Sequence, residues 1–375
     1  MLARRAGNQI QSAAISAFRI PTDQPQESDG TAIWNATTIV VVELHAANAI
    51  GLGFTYSDVA ATHVAQDLIQ KEVLGKDPFD IPAIHSALDG QVRNMGRPGL
   101  ASTAISAIDT CLWDLKARLL GCSLVQLLGQ KRTQIPAYGN GGFTSYDEHQ
   151  LIEQLVRWAS EGMQSVKMKI GRQPAQDVAR VRAVRKALGS KVEIFVDANG
   201  AYSRKQALYQ AEQFATMGVT WFEEPVSSDD RTGLRLLAER APSIMNIAAG
   251  EYCYVLDDAQ NLLNAGAVDV MQADATRCGG ISNFIKIANA CEMHHIPLSA
   301  HTAPSIHTSL CCTLSPAINV EYFHDHVRVD NMLFDGAVHP VHGNLQPDQD
   351  SLGLGLLWKG GDAEKFRVFS EYVPQ

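Results

Sequence analysis

The sequence is short of cysteine motifs, of positive charge and of long apolar runs, and each shortage excludes a class of protein. Its seven cysteines include no CxxC pair, so neither a zinc knuckle nor a disulfide framework is indicated. The 31 basic residues against 40 acidic ones give a net charge of -9, which argues against a nucleic-acid surface. No apolar run reaches the roughly 20 residues that span a bilayer, and the N-terminal residues lack the apolar centre of a secretory signal. We therefore expect a cytoplasmic protein that binds neither nucleic acid nor membrane.

Hydrophobic residues, by contrast, are plentiful. They make up 46% of the 375 residues, enough for one large core and a smaller second domain. Between residues 12 and 57, β-branched segments such as Thr37 to His45 predict antiparallel strands. Between residues 59 and 129, Ile105, Ile108 and Leu112 follow the spacing of a buried helical stripe.

From Ile135 onward, strand-like and helix-like runs alternate. The predicted strands are Ile135 to Gly139, Ser165 to Ile170, Val192 to Val196, Thr220 to Glu224, Asn246 to Gly250, Val268 to Gln272, Pro297 to Ala300 and Ile318 to Tyr322. Eight such units in series predict a (β/α) barrel rather than an open sheet. We place an α+β domain at residues 1–132, the barrel at 133–354 and a C-terminal segment at 355–375, in which Phe366 to Val373 returns to the first domain.

Three acids close successive apolar segments of the predicted barrel. Asp197, Glu223 and Glu251 are spaced about 27 residues apart, the length of a strand plus a helix, so they should meet at the carboxyl ends of neighbouring strands. Hard oxygen ligands of this kind favour Mg²⁺ over zinc. A capping or salt-bridging role is the commoner explanation for any one of these acids, but three in consecutive units favour a metal site.

Two lysines lie on one face of the second predicted strand. Residues two apart in a strand point the same way, so Lys167 and Lys169 project together, as do Asp197 and Asn199 further along. Like charge and partial burial would lower the pKa of one lysine toward neutrality, which would make it a general base. The alternative is a pair of solvated lysines at an exposed strand edge.

Later strands end in further ionisable groups. Asp274 and His301 close neighbouring units, so the carboxylate could orient the imidazole for proton transfer, although a structural histidine remains the alternative. Glu321 on the last strand could donate to a developing oxyanion or bridge to a lysine. For His324 and His326 we favour solvated loop residues over a metal site.

These motifs together resemble the enolase superfamily, in particular its mandelate racemase subgroup. The resemblance runs from GRPGLASTAISAIDTCLWDLKARLLG through KMK, VDANG, FEEP, GE and DATRCGG to His301. It implies a modified (β/α)₇β barrel beneath an α+β capping domain, and commonly a homo-oligomer. It also implies Mg²⁺ on Asp197, Glu223 and Glu251, Lys169 as one base and the dyad of His301 and Asp274 as the opposing acid or base. Residues that would contact the substrate carboxylate or its enediolate are Lys167, Asn199 and Glu321.

The expected reaction is removal of the proton next to a carboxylate of a small acid substrate. We favour dehydration of a sugar acid to a 2-keto-3-deoxy acid, because the capping-domain loops Pro21 to Trp34 and Gly53 to Asp58 are polar and offer Thr55 and Tyr56 to a hydroxylated ligand. Racemisation or epimerisation of a 2-hydroxy acid or an amino acid derivative uses the same groups and stays open. A barrel that binds metal and ligand without turnover is the alternative outside enzymes.

Overall fold

The N-terminal domain is built on a four-stranded antiparallel sheet. The computed structural model describes residues 8–359 and 361–374. In spatial order the strands are Arg367–Pro374, Ile10–Pro21, Ala36–Ala46 and Ala49–Tyr56. The last strand of the chain pairs with the first, which confirms that the C-terminal segment completes this domain.

Helices cover one face of this sheet. They are Ala60–Leu68, Ile81–Gln91 and Leu100–Leu120, with a π-helical turn at Ile69–Val73 and a 3₁₀ turn at Val92–Asn94. The short helix Leu124–Leu128 follows and packs against Leu100–Leu120 and against the barrel. The long helix Leu100–Leu120 packs closely against Ala49–Tyr56 because that strand carries glycine where the backbones meet. A Cβ at Gly53 would lie 2.2 Å from the carbonyl oxygen of Ala107, so no larger residue fits.

The second domain is a closed barrel of parallel strands. In chain order, which is also spatial order, they are Ile135–Gly141, Ser165–Lys169, Glu193–Asp197, Val219–Glu223, Asn246–Ala249, Val270–Ala273, Leu298–Ala300 and Ala317–Phe323. The eighth strand pairs with the first, which closes the barrel. Each strand lies within two residues of its predicted position, and the predicted barrel is confirmed.

Seven helices link these strands, and an eighth follows the last one. They are Glu148–Ser160, Pro174–Leu188, Arg204–Ala215, Arg231–Arg240, Leu256–Ala265, Gly280–His294, Pro304–Cys311 and His324–Leu333. Two of them begin with complete capping boxes, at Asp147 with Gln150 and at Ser203 with Gln206, so the backbone amides of those first turns are satisfied locally. None of the helices in residues 8–359 and 361–374 is long and apolar enough to cross a membrane.

Three pairings of short strands complete the described part of the fold. Asn344–Leu345 pairs with the first barrel strand, and Phe334–Asp335 pairs with Leu357–Trp358. In the segment between the first two long strands of the capping domain, Glu27–Ser28 pairs with Ile33–Trp34. This small hairpin holds that segment, residues 22–34, against the barrel.

Two local predictions are wrong. His324 and His326 are not solvated loop residues, because both lie in the first turn of the helix that follows the last barrel strand. The side chain of His324 is 15% exposed and contacts Asp23, and His326 is 7% exposed and stacks on Tyr56 with ring centroids 3.4 Å apart. Residues 53–56 are not a loop either, because they continue the strand Ala49–Tyr56. In both cases contact between the capping domain and the barrel orders residues whose polarity suggested solvent.

Candidate active site

The three predicted metal ligands meet at one end of the barrel. Asp197 and Glu223 are the last residues of the third and fourth strands, and Glu251 follows the fifth by two residues. One carboxylate oxygen from each lies within 4.8 Å of the others, and all three side chains are buried. The three side chains therefore converge as the spacing of the strands predicted.

The electrostatics of this group fit a divalent cation. Burial, and then the charge of Asp197, raise the pKa of Glu223 to about 8. Burial and the neighbouring carboxylate thus both disfavour the charge of Glu223, and a cation between the acids would relieve both effects. Because every converging atom is a carboxylate oxygen, the donor set suits Mg²⁺.

Lys167 lies beneath the acids and is fully buried. Its Nζ is 2.5 Å from Glu223 Oε1, 2.9 Å from Glu321 Oε1 and 3.7 Å from Asp197 Oδ2. Burial opposes its charge, but these carboxylates outweigh burial and raise the pKa of Lys167 well above its usual value. Lys167 is therefore a fixed cation.

Lys169 reaches the acids from the second strand. Its Nζ forms an ion pair with Asp197 Oδ2, and the side chain is 7% exposed, facing the cavity. Burial and the charge of Lys167 favour the neutral amine, as predicted, but Asp197 outweighs them and raises the pKa. The predicted lowering of the pKa is thus wrong for this arrangement, because the close approach of Asp197 cannot be read from residue order.

His301 approaches from the opposite side of the carboxylate group. Its Nδ1 is 2.9 Å from Asp274 Oδ2, and its Nε2 is 3.2 Å from Glu251 Oε2. Burial disfavours the imidazolium, but the charges of Glu251 and Glu321 and the hydrogen bond to Asp274 outweigh burial and raise the pKa of His301 to about 9. The dyad that the sequence indicated is therefore formed, with Nε2 directed at the metal ligands.

Local hydrogen bonds hold Asp274 in place. Its Oδ1 accepts from the backbone N–H and the hydroxyl of Thr276, both at 2.7 Å. His307 supports the same turn, because its Nε2 accepts from the N–H of Ala275 at 2.9 Å while its Nδ1–H donates to the Thr302 carbonyl at 2.7 Å. The orientation of His301 thus rests on a network that leaves Asp274 little freedom.

Glu321 is fully buried at the end of the last strand. Its Oε1 accepts from Lys167 and from the side-chain amide of Asn140, and its Oε2 accepts from the N–H of Thr302 at 3.0 Å. Both oxygens are therefore engaged. Neither Glu321 nor Lys167 lines the cavity above the site.

A cavity of about 380 Å³ lies between the capping domain and this end of the barrel. Lys169, Glu251 and His301 line its barrel side, and Asn199 reaches it from beyond the third strand. The backbone N–H of Asn199 donates to Asp197 Oδ1 at 2.9 Å. From the capping domain come the lining residues Asp29, Trp34, Ala36, Thr37, Thr38, Tyr56, Ser57 and Asp58.

Tyr56 and Thr55, the two capping-domain residues predicted to contact the substrate, differ in position. Tyr56 lines the cavity, although its hydroxyl donates to Asp330 Oδ1 at 2.5 Å. Thr55 is buried outside the cavity lining and donates to the carbonyl of Thr276 at 2.6 Å. Thr55 therefore joins the capping domain to the turn that carries Asp274.

Sequence reasoning missed two polar residues at this rim. Arg277 lines the cavity with its guanidinium 3.6 Å from Glu251 Oε1 and 3.7 Å from Asp274 Oδ2. Asn140 lies near the end of the first strand, two residues after inward-facing Tyr138, and binds Glu321. Asn140 could have been predicted as a site residue, because it lies near the carboxyl end of its strand, as the charged residues of the later strands do.

Comparison with known proteins extends this picture. Residues 17–129 match the model of the mandelate racemase / muconate lactonizing enzyme N-terminal domain, and residues 150–362 match the enolase C-terminal domain-like model. The chain belongs to the mandelate racemase / muconate lactonizing enzyme family. The predicted resemblance is confirmed over both domains.

Members of this family with known structures have the same architecture. A mandelate racemase/muconate lactonizing enzyme-like protein from Rubrobacter xylanophilus is 47% identical, with a TM-score of 0.93 over 96% of this chain and 100% of the other. L-talarate/galactarate dehydratase from Salmonella typhimurium is 32% identical over 94% of this chain and 90% of its own length. Its structure with Mg and L-lyxarohydroxamate has a TM-score of 0.92, covering 100% of this chain and 97% of that one.

An isomerase is also among the structural relatives. A racemase from Streptomyces coelicolor with bound magnesium is 26% identical, with a TM-score of 0.88 over 96% of this chain and 100% of the other. The family relationship therefore covers both reaction types that the sequence left open.

Proposed function

We propose that this protein is a Mg²⁺-dependent enzyme that removes the proton next to the carboxylate of a sugar acid and dehydrates the product to a 2-keto-3-deoxy acid. The observation that carries the proposal is the arrangement of two proton-transfer groups around the acids. Lys169 contacts Asp197 at one side of the carboxylate group, and His301 contacts Glu251 at the other. A substrate carbon above the acids would then lie between a base and an acid.

The magnesium ligands in this proposal are Asp197, Glu223 and Glu251. When bound there, Mg²⁺ supplies positive charge that stabilises the anion formed as the α proton leaves. Lys167, fixed beneath Glu223 and Glu321, adds a second positive charge at the same place. Relatives solved with magnesium support this assignment.

Lys169 is the proposed base. Its Nζ faces the cavity and must be neutral to accept the proton from C2 of the substrate. A cation held by Asp197 would compete with Lys169 for that carboxylate, and burial and the charge of Lys167 would then favour the neutral amine.

His301 is the proposed acid. Its Nε2–H donates a proton to the hydroxyl on C3, the C3–O bond breaks, and water leaves as the electrons of the former C2–H bond form the C2–C3 double bond. The resulting enol takes a proton at C3 to give the 2-keto acid. Asp274 keeps Nδ1 of His301 protonated, so that Nε2 is the nitrogen that gives and takes protons.

The cavity supports a hydroxylated substrate. Its capping side presents side chains that can bind sugar hydroxyls, among them Thr37, Thr38 and Ser57. Asn199 beside the metal ligands is our proposed contact for the substrate carboxylate. The sugar acid dehydratase among the relatives favours the same substrate class. The homo-oligomer expected from the resemblance stays a prediction.

Racemisation or epimerisation is the second candidate, favoured by the placement of Lys169 and His301 on two sides of one site. In that reaction His301 would return a proton to the opposite face of C2 and no water would be lost. The magnesium-bound racemase among the relatives supports this alternative. A binding protein without turnover has no need of a base and an acid opposed in this way.

Proton NMR in D₂O tests the proposal. The Mg²⁺-loaded protein is incubated with sugar mono-acids and di-acids, mandelate and N-acyl amino acids, beside a Lys169→Ala control. A 2-keto-3-deoxy acid formed only by the unaltered protein is the expected result. Deuterium at C2 with a new stereoisomer and no keto acid would replace dehydration by racemisation or epimerisation. Magnesium binding without any exchange would favour the non-catalytic protein.

A further inference from the structure

We propose a second divalent-cation site, apart from the active-site carboxylates, formed by Asp23, Glu27 and His324. Asp23 and Glu27 belong to the capping-domain segment 22–34, and His324 begins the helix after the last barrel strand. One possible ligand atom from each residue lies within 4.8 Å of the other two. A cation here would join the segment above the cavity to the barrel.

Glu27 is the observation that distinguishes this group from an ordinary acidic cluster. Its side chain is 0% exposed, yet neither carboxylate oxygen accepts a hydrogen bond from any donor in residues 8–359 and 361–374, and its polar neighbours are the carboxyls of Asp23 and Asp325. The neighbouring Asp325 is 1% exposed, and its Oδ1 is likewise unpartnered. Buried oxygens without a donor are rare in proteins and commonly indicate a missing ion, water or proton.

The other carboxylate oxygen of Asp325 is hydrogen-bonded, and these bonds hold the side chain next to Glu27. Its Oδ2 accepts from Trp34 Nε1 at 3.0 Å and from the Thr37 hydroxyl at 3.3 Å. These bonds fix the carboxylate beside Glu27. Three unpartnered oxygens of two buried carboxylates therefore lie side by side, an arrangement that calls for a cation or a proton between them.

Within the described part of the chain, the two nearby cationic side chains already have other partners. His324 Nε2 is 2.8 Å from Asp23 Oδ2, and the guanidinium of Arg328 donates to the carbonyl of Pro21 at 2.6 Å. A cation held by Asp23, Glu27 and His324 would satisfy the acids together. One imidazole and two carboxylates suit Zn²⁺ or Mn²⁺ better than the all-oxygen set that favours Mg²⁺ in the active site.

The site is also open to solvent on one side. The side chain of Asp23 is 40% exposed and that of His324 is 15% exposed, whereas Glu27 closes the inner side. A cation can therefore enter without unfolding the segment. Its binding would strengthen the contacts that hold Trp34 and Thr37 at the cavity wall.

Metal stoichiometry tests this proposal. The full chain, kept in excess Mg²⁺ to fill the active site, is dialysed against low Zn²⁺ and its zinc content is measured. We expect one equivalent of zinc per chain, with affinity reduced about a hundredfold or more in Glu27→Gln and in His324→Gln. Glu43→Gln, which alters a partly buried glutamate in the capping sheet, is the matched control and should bind zinc like the unaltered protein.

Thermal unfolding supplies a second measurement. Zinc should raise the unfolding midpoint of the unaltered protein and of Glu43→Gln, but not of Glu27→Gln. Because glutamine keeps the shape of glutamate without its charge, Glu27→Gln should fold. No zinc beyond the active site, or equal zinc in Glu27→Gln, would overturn the proposal and assign a bound proton to Glu27 instead.

Discussion

The two ends of the barrel carry opposite kinds of side chain on the same strands. Near the amino end, Phe195 and Trp221 stack with ring centroids 4.9 Å apart inside the barrel. Two residues further along the same strands, Asp197 and Glu223 face the same interior and hold the proposed metal. The strand period of two therefore puts an aromatic layer directly below a charged layer. Packing residues and chemically active residues are therefore separated along the barrel axis.

Lys169→Ala should give the largest effect, a loss of turnover at the charged end of the barrel without a change in the packing of the aromatic end. Without its base, the enzyme should lose about 10³ to 10⁴-fold in turnover, while magnesium still binds. Turnover by NMR and magnesium binding by calorimetry are the two measurements. Retention of most activity in this variant would mean that another group removes the proton.

Phe195→Ala tests the aromatic end. Removing a buried ring that stacks on Trp221 should lower the free energy of unfolding by about 3–5 kcal/mol. Chemical denaturation measures the loss, and turnover per folded molecule should change only a few-fold. If turnover falls as far as in Lys169→Ala, the aromatic end also contributes to the chemistry and the two ends are not separate in function.

Asp274→Asn tests whether His301 and Lys169 act in separate steps of the proposed reaction. The change disturbs the tautomer of His301, so dehydration should slow about a hundredfold or more. Exchange of the C2 proton with D₂O should persist, because Lys169 is unchanged. Parallel loss of both signals would show that His301 and Lys169 do not act in separate steps.

The smallest expected effect is on the pH dependence of stability, through Asp330, which lies where the barrel meets the capping domain. Burial raises its pKa to about 6, against hydrogen bonds from Tyr56 and Ser305. Because the folded pKa exceeds the unfolded one, the stabilising contribution is complete below about pH 4 and is lost as the pH rises through 6.

The isosteric variant isolates this contribution. Unfolding free energies of the unaltered protein and of Asp330→Asn should converge near pH 4 and differ by about 3 kcal/mol at pH 7.5, with the variant more stable. Denaturation across that pH range is the measurement. A constant difference would mean that Asp330 does not change protonation on folding.

Much of the charged end was predictable because a strand has a strict period and a parallel barrel repeats it. The three acids and the Asp274 and His301 pair each close an apolar run, and the strands fell within two residues of their predicted positions. The contact partners were not predictable. Nothing in the order of residues shows that Thr55 donates to Thr276, or that Glu27 is buried beside Asp325.

Local hydrophobic periodicity and spacing were enough to predict the barrel, its order of strands and the residue types at its carboxyl end. The charge of Lys169, the burial of Lys167 and Glu321, and the stacking of His326 on Tyr56 depended on the folded structure. Periodicity acts between neighbours in the chain, whereas electrostatics and desolvation depend on atoms brought together from distant positions when the barrel closes and the capping domain covers it.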